Sequence, residues 1–148
     1  MAEKIIFLDF DGVLNSLRSY AAYGDATFCR TSVDLILTLL KQTGAKIVIS
    51  SSWRESFSFH HLSNMFRNEF GWGDWADNII GTIEISNEQR GNQIDKWINR
   101  HYPDLIQFVI IDDYDGEIQE HQLENLVHVN PTNGFCYDEF VKCKELLS

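Results

Sequence analysis

The stretch Ile5-Ile6-Phe7-Leu8-Asp9-Phe10-Asp11-Gly12-Val13-Leu14 decides how this chain is read. Ile5 to Leu8 run without a polar break, the pattern of a strand covered on both faces at the centre of a parallel sheet. The run ends in two carboxylates one residue apart, with a glycine directly after them. Residues two apart on a strand point the same way, so the spacing sets Asp9 and Asp11 toward one site at the carboxyl edge of the sheet. Gly12 lets the chain turn sharply there. Two carboxylates beside so apolar a run require a cation or hydrogen-bond donors. The alternative is a strand that ends in a solvated acidic turn.

Two further stretches end in a similar way. Lys46-Ile47-Val48-Ile49 leads into Ser50-Ser51-Ser52-Trp53-Arg54, and Phe108-Val109-Ile110-Ile111 leads into Asp112-Asp113. Between them Arg90 opens a helical pattern. Ligands of open α/β sheets bind beyond the carboxyl ends of the strands, which is where these acids, hydroxyls and cations collect.

Taken in order, from Lys4 to about Phe135, these segments resemble the haloacid dehalogenase (HAD) superfamily of aspartate-nucleophile phosphohydrolases. Asp9-Phe10-Asp11-Gly12-Val13 is similar to its first motif, and the resemblance implies Asp9 as nucleophile and Asp11 as general acid/base. Ser51 stands for the second motif, the hydroxyl that holds a phosphoryl oxygen, with Ser52 beside it. Arg90 takes the place of the third-motif cation, and Asp112-Asp113 resembles the acidic fourth. Trp53-Arg54 and Asn130-Pro131-Thr132-Asn133-Gly134-Phe135 are similar to a smaller branch. That branch includes HAD domains attached to RNA-repair proteins and the phosphatase half of polynucleotide kinase-phosphatases. The implied fold is a three-layer, Rossmann-like α/β core around a central parallel sheet. The implied cofactor is Mg²⁺, with the Asp9 side chain, the Asp11 main-chain carbonyl and Asp113 as ligands, and Asp112 adjacent or acting through water.

The chemistry suits these residue types. Phosphoryl transfer asks a protein mainly for positioning and charge stabilisation. A carboxylate that attacks phosphorus divides one hard step into two easier ones. Two anions repel, so the attack needs a cation, and Mg²⁺ fits an all-oxygen site completed by substrate phosphate. Asp11 can protonate the leaving oxygen and then activate water. Ser51, main-chain N–H groups and Arg90 offset charge on the phosphoryl oxygens. Arg54 has two readings. It is either a further phosphate clamp, since a guanidinium matches phosphate in a bidentate way, or an ordinary charge near a helix start, paired with Glu55. Lys96 competes with Arg90 for the third motif, but its position inside a helix favours a solvated face.

Composition sets the outer bounds. A chain of 148 residues, 44% hydrophobic and 23% charged, reads as one globular domain over 1–148. No apolar run approaches the ~20 residues that span a bilayer. The first strand begins almost at once, which leaves no room for a signal peptide. Cys29, Cys136 and Cys143 lack zinc-finger spacing and read as reduced thiols of a cytoplasmic protein. None has an arginine six positions on, so the cysteine-nucleophile phosphatase loop is absent too. A net charge of −10 argues against an extended nucleic-acid interface, which draws its affinity from a basic face. A local patch from Arg18, Arg30, Arg54, Arg67 and Arg90 remains open.

Strands and helices alternate along the chain, as in a parallel sheet covered on both faces. Asn15 to Arg30 reads as an irregular loop or flap over the site. Ser32 reads as the cap of a helix with Val33, Ile36, Leu37, Leu39 and Leu40 inward, ended by Gly44. Phe57 to Phe70 reads as a helix, the segment 71–75 as a turn-rich linker and the segment 79–83 as a short strand. Helices are expected over Gln93 to Tyr102, Ile118 to Leu123 and Tyr137 to Leu147, with a strand over Leu126 to Val129. Phe57, Phe59, Phe70, Trp72 and Trp75 read as core aromatics rather than a base-stacking platform, and His60-His61 as a surface pair.

The intervals from Asp11 to Ser51 and from Ser51 to Arg90 are already filled by core elements. A folded cap of ~50 residues, about the lower limit for a domain, does not fit in either. An uncapped site admits a phosphate on a bulky molecule, such as a polynucleotide end or a phosphoprotein, and also a small phosphate ester. The sequence therefore points to a Mg²⁺-dependent phosphomonoesterase with an aspartyl-phosphate intermediate, a polynucleotide end leading the specialised substrates. A catalytically silent phosphate-binding module is the alternative from another class, and such a module has no need of the second aspartate.

Overall fold

A computed structural model describes residues 3–24, 28–69, 71–104 and 106–148. Among them, β1 (Glu3–Leu8), β2 (Lys46–Ile49), β3 (Ile79–Thr82), β4 (Ile106–Asp112) and β5 (Leu126–His128) form one sheet in the order β3-β2-β1-β4-β5. Every pairing is parallel. The apolar run read as a central strand is central: Phe7 lies opposite Val48 on one side and Ile110 on the other. From β1 the chain builds outward to β2 and β3, then returns to place β4 and β5 on β1's other edge. The switch in direction falls between β1 and β4.

Alternate residues of β1 enter different halves of the core, because side chains on a strand alternate between its faces. Ile6 and Leu8 join a cluster with α2 (Arg30–Thr43) and α7 (Tyr137–Leu146), through Val33, Ile36, Leu39, Phe140 and Cys143. Ile5 and Phe7 join a second cluster with Ile94 and Trp97 of α6 (Arg90–His101). The Phe7 and Trp97 rings meet edge to face at 5.6 Å, a geometry favoured by their quadrupoles. Helices on both faces of a parallel sheet make the expected three-layer α/β core, with no separate cap domain among the described residues. No helix among the described residues is long and apolar enough to cross a membrane.

Several local expectations are corrected. The flap contains a helix, α1 (Leu17–Tyr23), capped reciprocally: Ser19 N donates to Ser16 Oγ at 3.0 Å and Ser16 N to Ser19 Oγ at 2.8 Å. Residues 25–27 of the same segment lie outside the described residues. Helix α2 starts before Ser32, with Cys29 at its N-cap, and the Ser32 hydroxyl instead donates to the Phe135 carbonyl at 2.7 Å. The single helix expected up to Phe70 is broken into α3 (Trp53–Ser56), α4 (Phe59–Asn64) and a π-helical turn over Met65–Glu69. Phe57 interrupts them in an extended conformation, and Ser58 caps α4. The expected linker holds a short helix, α5 (Gly73–Ala76), and the segment near 118–123 is a 3₁₀ helix over Glu120–Asn125. Trp75 is fully buried, and Phe57, Phe59 and Trp72 pack against the core. Phe70 lies outside the described residues.

Candidate active site

The sheet ladder continues past the strand ends and sets the register of the site. Asp9 N donates to Ile111 O at 3.1 Å, Ser50 N to Leu8 O at 3.0 Å and Val129 N to Asp112 O at 2.9 Å. These bonds hold Asp9, the serine loop and Asp112 side by side at the carboxyl edge, across the switch point between β1 and β4. Asp9 and Asp112 are buried, and Asp113 is half-buried. One carboxylate oxygen from each lies within 4.8 Å of the others.

Arg90 answers part of this crowding. Its Nη1 lies 2.7 Å from Asp112 Oδ2 and 3.6 Å from Asp9 Oδ1. Lys96, its rival, instead pairs with Glu88 at 2.6 Å on the surface. Tyr114 N donates to the other oxygen of Asp112 at 3.0 Å. Burial first, and then the Asp112 charge, push Asp9 up to about 8, against the downward pull of Arg90. Burial also raises Asp112, again opposed by Arg90. One guanidinium is thus too little for three carboxylates. An all-oxygen acidic cluster short of positive charge is the donor set that a hard divalent cation such as Mg²⁺ takes.

Two glycines let these groups approach. Gly12 has φ +81°, and a Cβ there would overlap the Asp113 carboxylate. Gly91, at the start of α6, donates its N–H to Glu117 O at 3.0 Å and accepts from Gln122 Nε2 at 2.9 Å. A Cβ on Gly91 would strike the Gln122 side chain and the main chain at Glu117 and Gln119. The contact seats the helix that presents Arg90.

Asp11 lies beyond the end of β1, exposed, while Phe10 between the two aspartates is wholly buried. Its carboxylate is held from both sides. Asn15 Nδ2 donates to Oδ1 at 2.9 Å and Trp53 Nε1 to Oδ2 at 3.0 Å. Asn15 is held in turn, since its Oδ1 accepts the Gly12 N–H at 2.8 Å. Sequence reading gave neither residue this task. A contact across 42 positions leaves no periodicity to find, and the one available signal was the proximity of Asn15 and Trp53 to the first two motifs.

Ser51 is buried, and its Oγ accepts from Trp53 N at 3.2 Å; Ser52 is exposed. Arg54 has main-chain and Gln93 partners that neither reading had given it. Its Nη1 donates to the carbonyls of Ser50 and Ser51 at 2.8 and 2.9 Å, and Nη2 to Gln93 Oε1 at 2.9 Å. The side chain is buried, and that burial, followed by the Arg90 charge, lowers its pKa. Nη1 thus braces the serine loop and Nη2 ties it to α6, bonds that the sequence reading did not foresee.

The segment from Asn130 to Phe135 supports the flap. Leu17 N and Arg18 N, two of the free donors at the start of α1, bond Pro131 O at 3.0 Å and Thr132 O at 3.1 Å. Phe135 N donates to Val13 O at 2.8 Å. Between α1 and the site lies a cavity of about 630 Å³, bounded by Asp11, Asp113, Leu17, Tyr20, Trp53 and Pro131.

Acid gathered at the switch point of an all-parallel sheet fits a phosphatase-like domain of the HAD superfamily. Comparison with family models carries this one step further. The chain belongs to the family described as the HAD domain in Swiss Army Knife RNA repair proteins, whose model matches residues 5–140. Comparisons with curated proteins and with solved structures gave no match.

Proposed function

We propose that the chain is a Mg²⁺-dependent phosphomonoesterase that works through an aspartyl-phosphate, with a phosphorylated polynucleotide end as its leading substrate. One observation carries this reading: two aspartates from a single turn have opposite environments. Asp9 is buried among carboxylates and Arg90, and Asp11 stands exposed at the cavity, gripped by Asn15 and Trp53. Paired carboxylates with different surroundings are what nucleophile and acid/base roles require. Membership of a family named for RNA repair proteins supports the polynucleotide end.

The residues divide the work as follows. Asp9 attacks phosphorus while the bond to the leaving oxygen breaks, and Asp11 gives that oxygen its proton. Asp11, now a carboxylate, takes a proton from water as the water oxygen attacks the phosphorus. Inorganic phosphate leaves and Asp9 is restored. Ser51 and the main-chain N–H groups beside it hold phosphoryl oxygens, and Arg90 offsets their charge. The carboxylates of Asp9 and Asp113 and the Asp11 carbonyl are the expected holders of Mg²⁺, with Asp112 adjacent. Bound there, the ion supplies the positive charge that lets one anion approach another. Arg54 reaches the substrate only through the serine loop.

Release of inorganic phosphate from a phosphorylated oligonucleotide, followed with Mg²⁺ and with EDTA, tests this assignment. Chelation is expected to abolish release, and Mg²⁺ to restore it. Asp9→Asn is expected to lower kcat by about a thousandfold or more and to leave no acid-stable phosphoenzyme, as loss of a nucleophile does. Full turnover in EDTA, or near-normal turnover by Asp9→Asn, overturns the mechanism.

A further inference from the structure

We infer that the cavity beside Asp11 is the leaving-group subsite and that it accepts one uncharged nucleoside: the terminal unit of the substrate, and no more of it. This rests on the phosphatase reading above and adds the substrate's chemical class. The position comes first. Asp11 borders the cavity and is the group assigned to protonate the leaving oxygen, so whatever carries that oxygen occupies this space. At about 630 Å³ the cavity falls within the ~300–1,000 Å³ range of clefts that take one small ligand.

The walls give the chemistry. Leu17 and Tyr20, one helical turn apart on α1, line the cavity yet are 65% and 60% exposed. Together they give one side of the opening an apolar and aromatic wall that a ligand can cover. Trp53 and Pro131 bound the same space. These are surfaces for a flat ring and a sugar. The polar members are neutral or acidic: Asn15, Ser16 and Ser19, then Asp11 and Asp113. No lysine or arginine lines the cavity among the described residues. The next phosphate of a polynucleotide would therefore find no cationic partner inside it, and the net charge of −10 opposes a backbone track outside. A peptide fits less well, because an extended chain seeks a strand edge. This cavity is walled instead by the turn after β1, α1, the head of α3 and the turn at Pro131.

Two measurements test the subsite. The first compares kcat/KM for a nucleoside 5′-monophosphate, glycerol phosphate and a decamer with a single terminal phosphate, using the wild type and Tyr20→Ala. The expected wild-type preference is for the nucleoside monophosphate over glycerol phosphate. Tyr20→Ala should lower that ratio by about tenfold, the scale of one lost base–aromatic stack. The decamer should match the mononucleotide within about threefold at low and high salt, since a salt-sensitive gain requires phosphate contacts. The second is independent of turnover: titration of an unphosphorylated nucleoside, read by calorimetry, should show binding to the wild type that Tyr20→Ala weakens. Leu17→Ala, at the other end of the same wall, should weaken it as well, which guards against one variant failing to fold. If glycerol phosphate is hydrolysed as well as the mononucleotide and the nucleoside does not bind, the subsite is wrong while the phosphatase reading stands. If no ester is hydrolysed but the nucleoside binds through Tyr20, the phosphatase reading fails and the subsite stands. A decamer preference that salt erases also overturns the inference, by placing recognition on the backbone.

Discussion

At the residue scale, one motif gives its two aspartates separate surroundings. The turn at Gly12 releases the chain from the ladder after Asp9, so Phe10 enters the core and Asp11 reaches the cavity. Trp53 joins the first motif to the second, donating its indole N–H to Asp11 while its own main-chain N–H bonds Ser51 Oγ. Arg54, the next residue, ties the same loop to α6 through Gln93. Gln93 in turn bonds Ser86 O at 3.2 Å, which extends the tie to the segment before α6. Arg54→Ala would take their side-chain donor from the Ser50 carbonyl and from Gln93 Oε1, while the Ser51 carbonyl keeps the main-chain N–H of residue 54 at 3.1 Å. We expect a loss of about 2–3 kcal/mol in stability, the scale for buried bonds to a charged group, measured by urea denaturation. Turnover should fall by the same factor for an aryl phosphate and an oligonucleotide, because a displaced serine loop affects every phosphate alike. A selective loss on the oligonucleotide would instead return Arg54 to the role of substrate clamp. Arg54→Lys should restore little, since an ammonium lacks the fork that serves two carbonyls and an amide together.

Among the elements, legibility in the sequence followed the source of each element's stability. β1, β2 and β4 stand out because both their faces are buried, which leaves an unbroken apolar run before each site residue. Helices α2, α6 and α7 show an inward stripe for the same reason. Helix α1 shows none. Its large side chains Leu17, Tyr20 and Tyr23 are exposed, and it is held by the Ser16–Ser19 box and by the carbonyls of Pro131 and Thr132. Caps and docking bonds leave no periodicity, so the segment reads as a loop. The breaks between α3, α4 and the π-helical turn were hidden too, because aromatics spaced for one helix pack equally well from several short ones. The buried pose of Arg54 was illegible for another reason: a guanidinium beside a phosphate site has the same sequence whether it faces in or out. The capping account of α1 has a direct consequence. Ser16→Ala removes the acceptor for Ser19 N and should destabilise the fold by about 1 kcal/mol. Because α1 walls the cavity, KM should rise more than kcat falls. Thermal unfolding and steady-state kinetics measured together check this, and an unchanged KM would separate α1 from substrate binding.

For the whole molecule, the decisive feature is negative charge gathered at one edge of the sheet. Asp9, Asp112 and Asp113 share a site with one arginine, within a chain that carries a net charge of −10. The backbone around them is tied on several sides: ladder bonds and both halves of the core hold the central strand, and α6 packs in one of those halves. The carboxylates therefore have little freedom to move apart, and their crowding is relieved either by the proton that Asp9 keeps up to about pH 8 or by a cation that displaces it. A ligand that binds the folded chain and not the unfolded one raises stability by RT ln(1 + [L]/Kd), about 2.7 kcal/mol at one hundred times Kd. For a chain of this size that corresponds to a rise in Tm of about 5–10 °C. Mg²⁺ at saturation should produce such a rise in the wild type, and EDTA should reverse it. Asp113→Asn should lose most of the response, because it removes charge from the cluster while keeping shape. In EDTA above about pH 8, where Asp9 is charged, it should also melt higher than the wild type, since one repulsive partner is gone. Lys96→Ala should keep the full Mg²⁺ response, because its ion pair with Glu88 lies away from the cluster. Equal Mg²⁺ responses in wild type and Asp113→Asn would place the ion elsewhere on this acidic surface and remove the basis for the metal assignment.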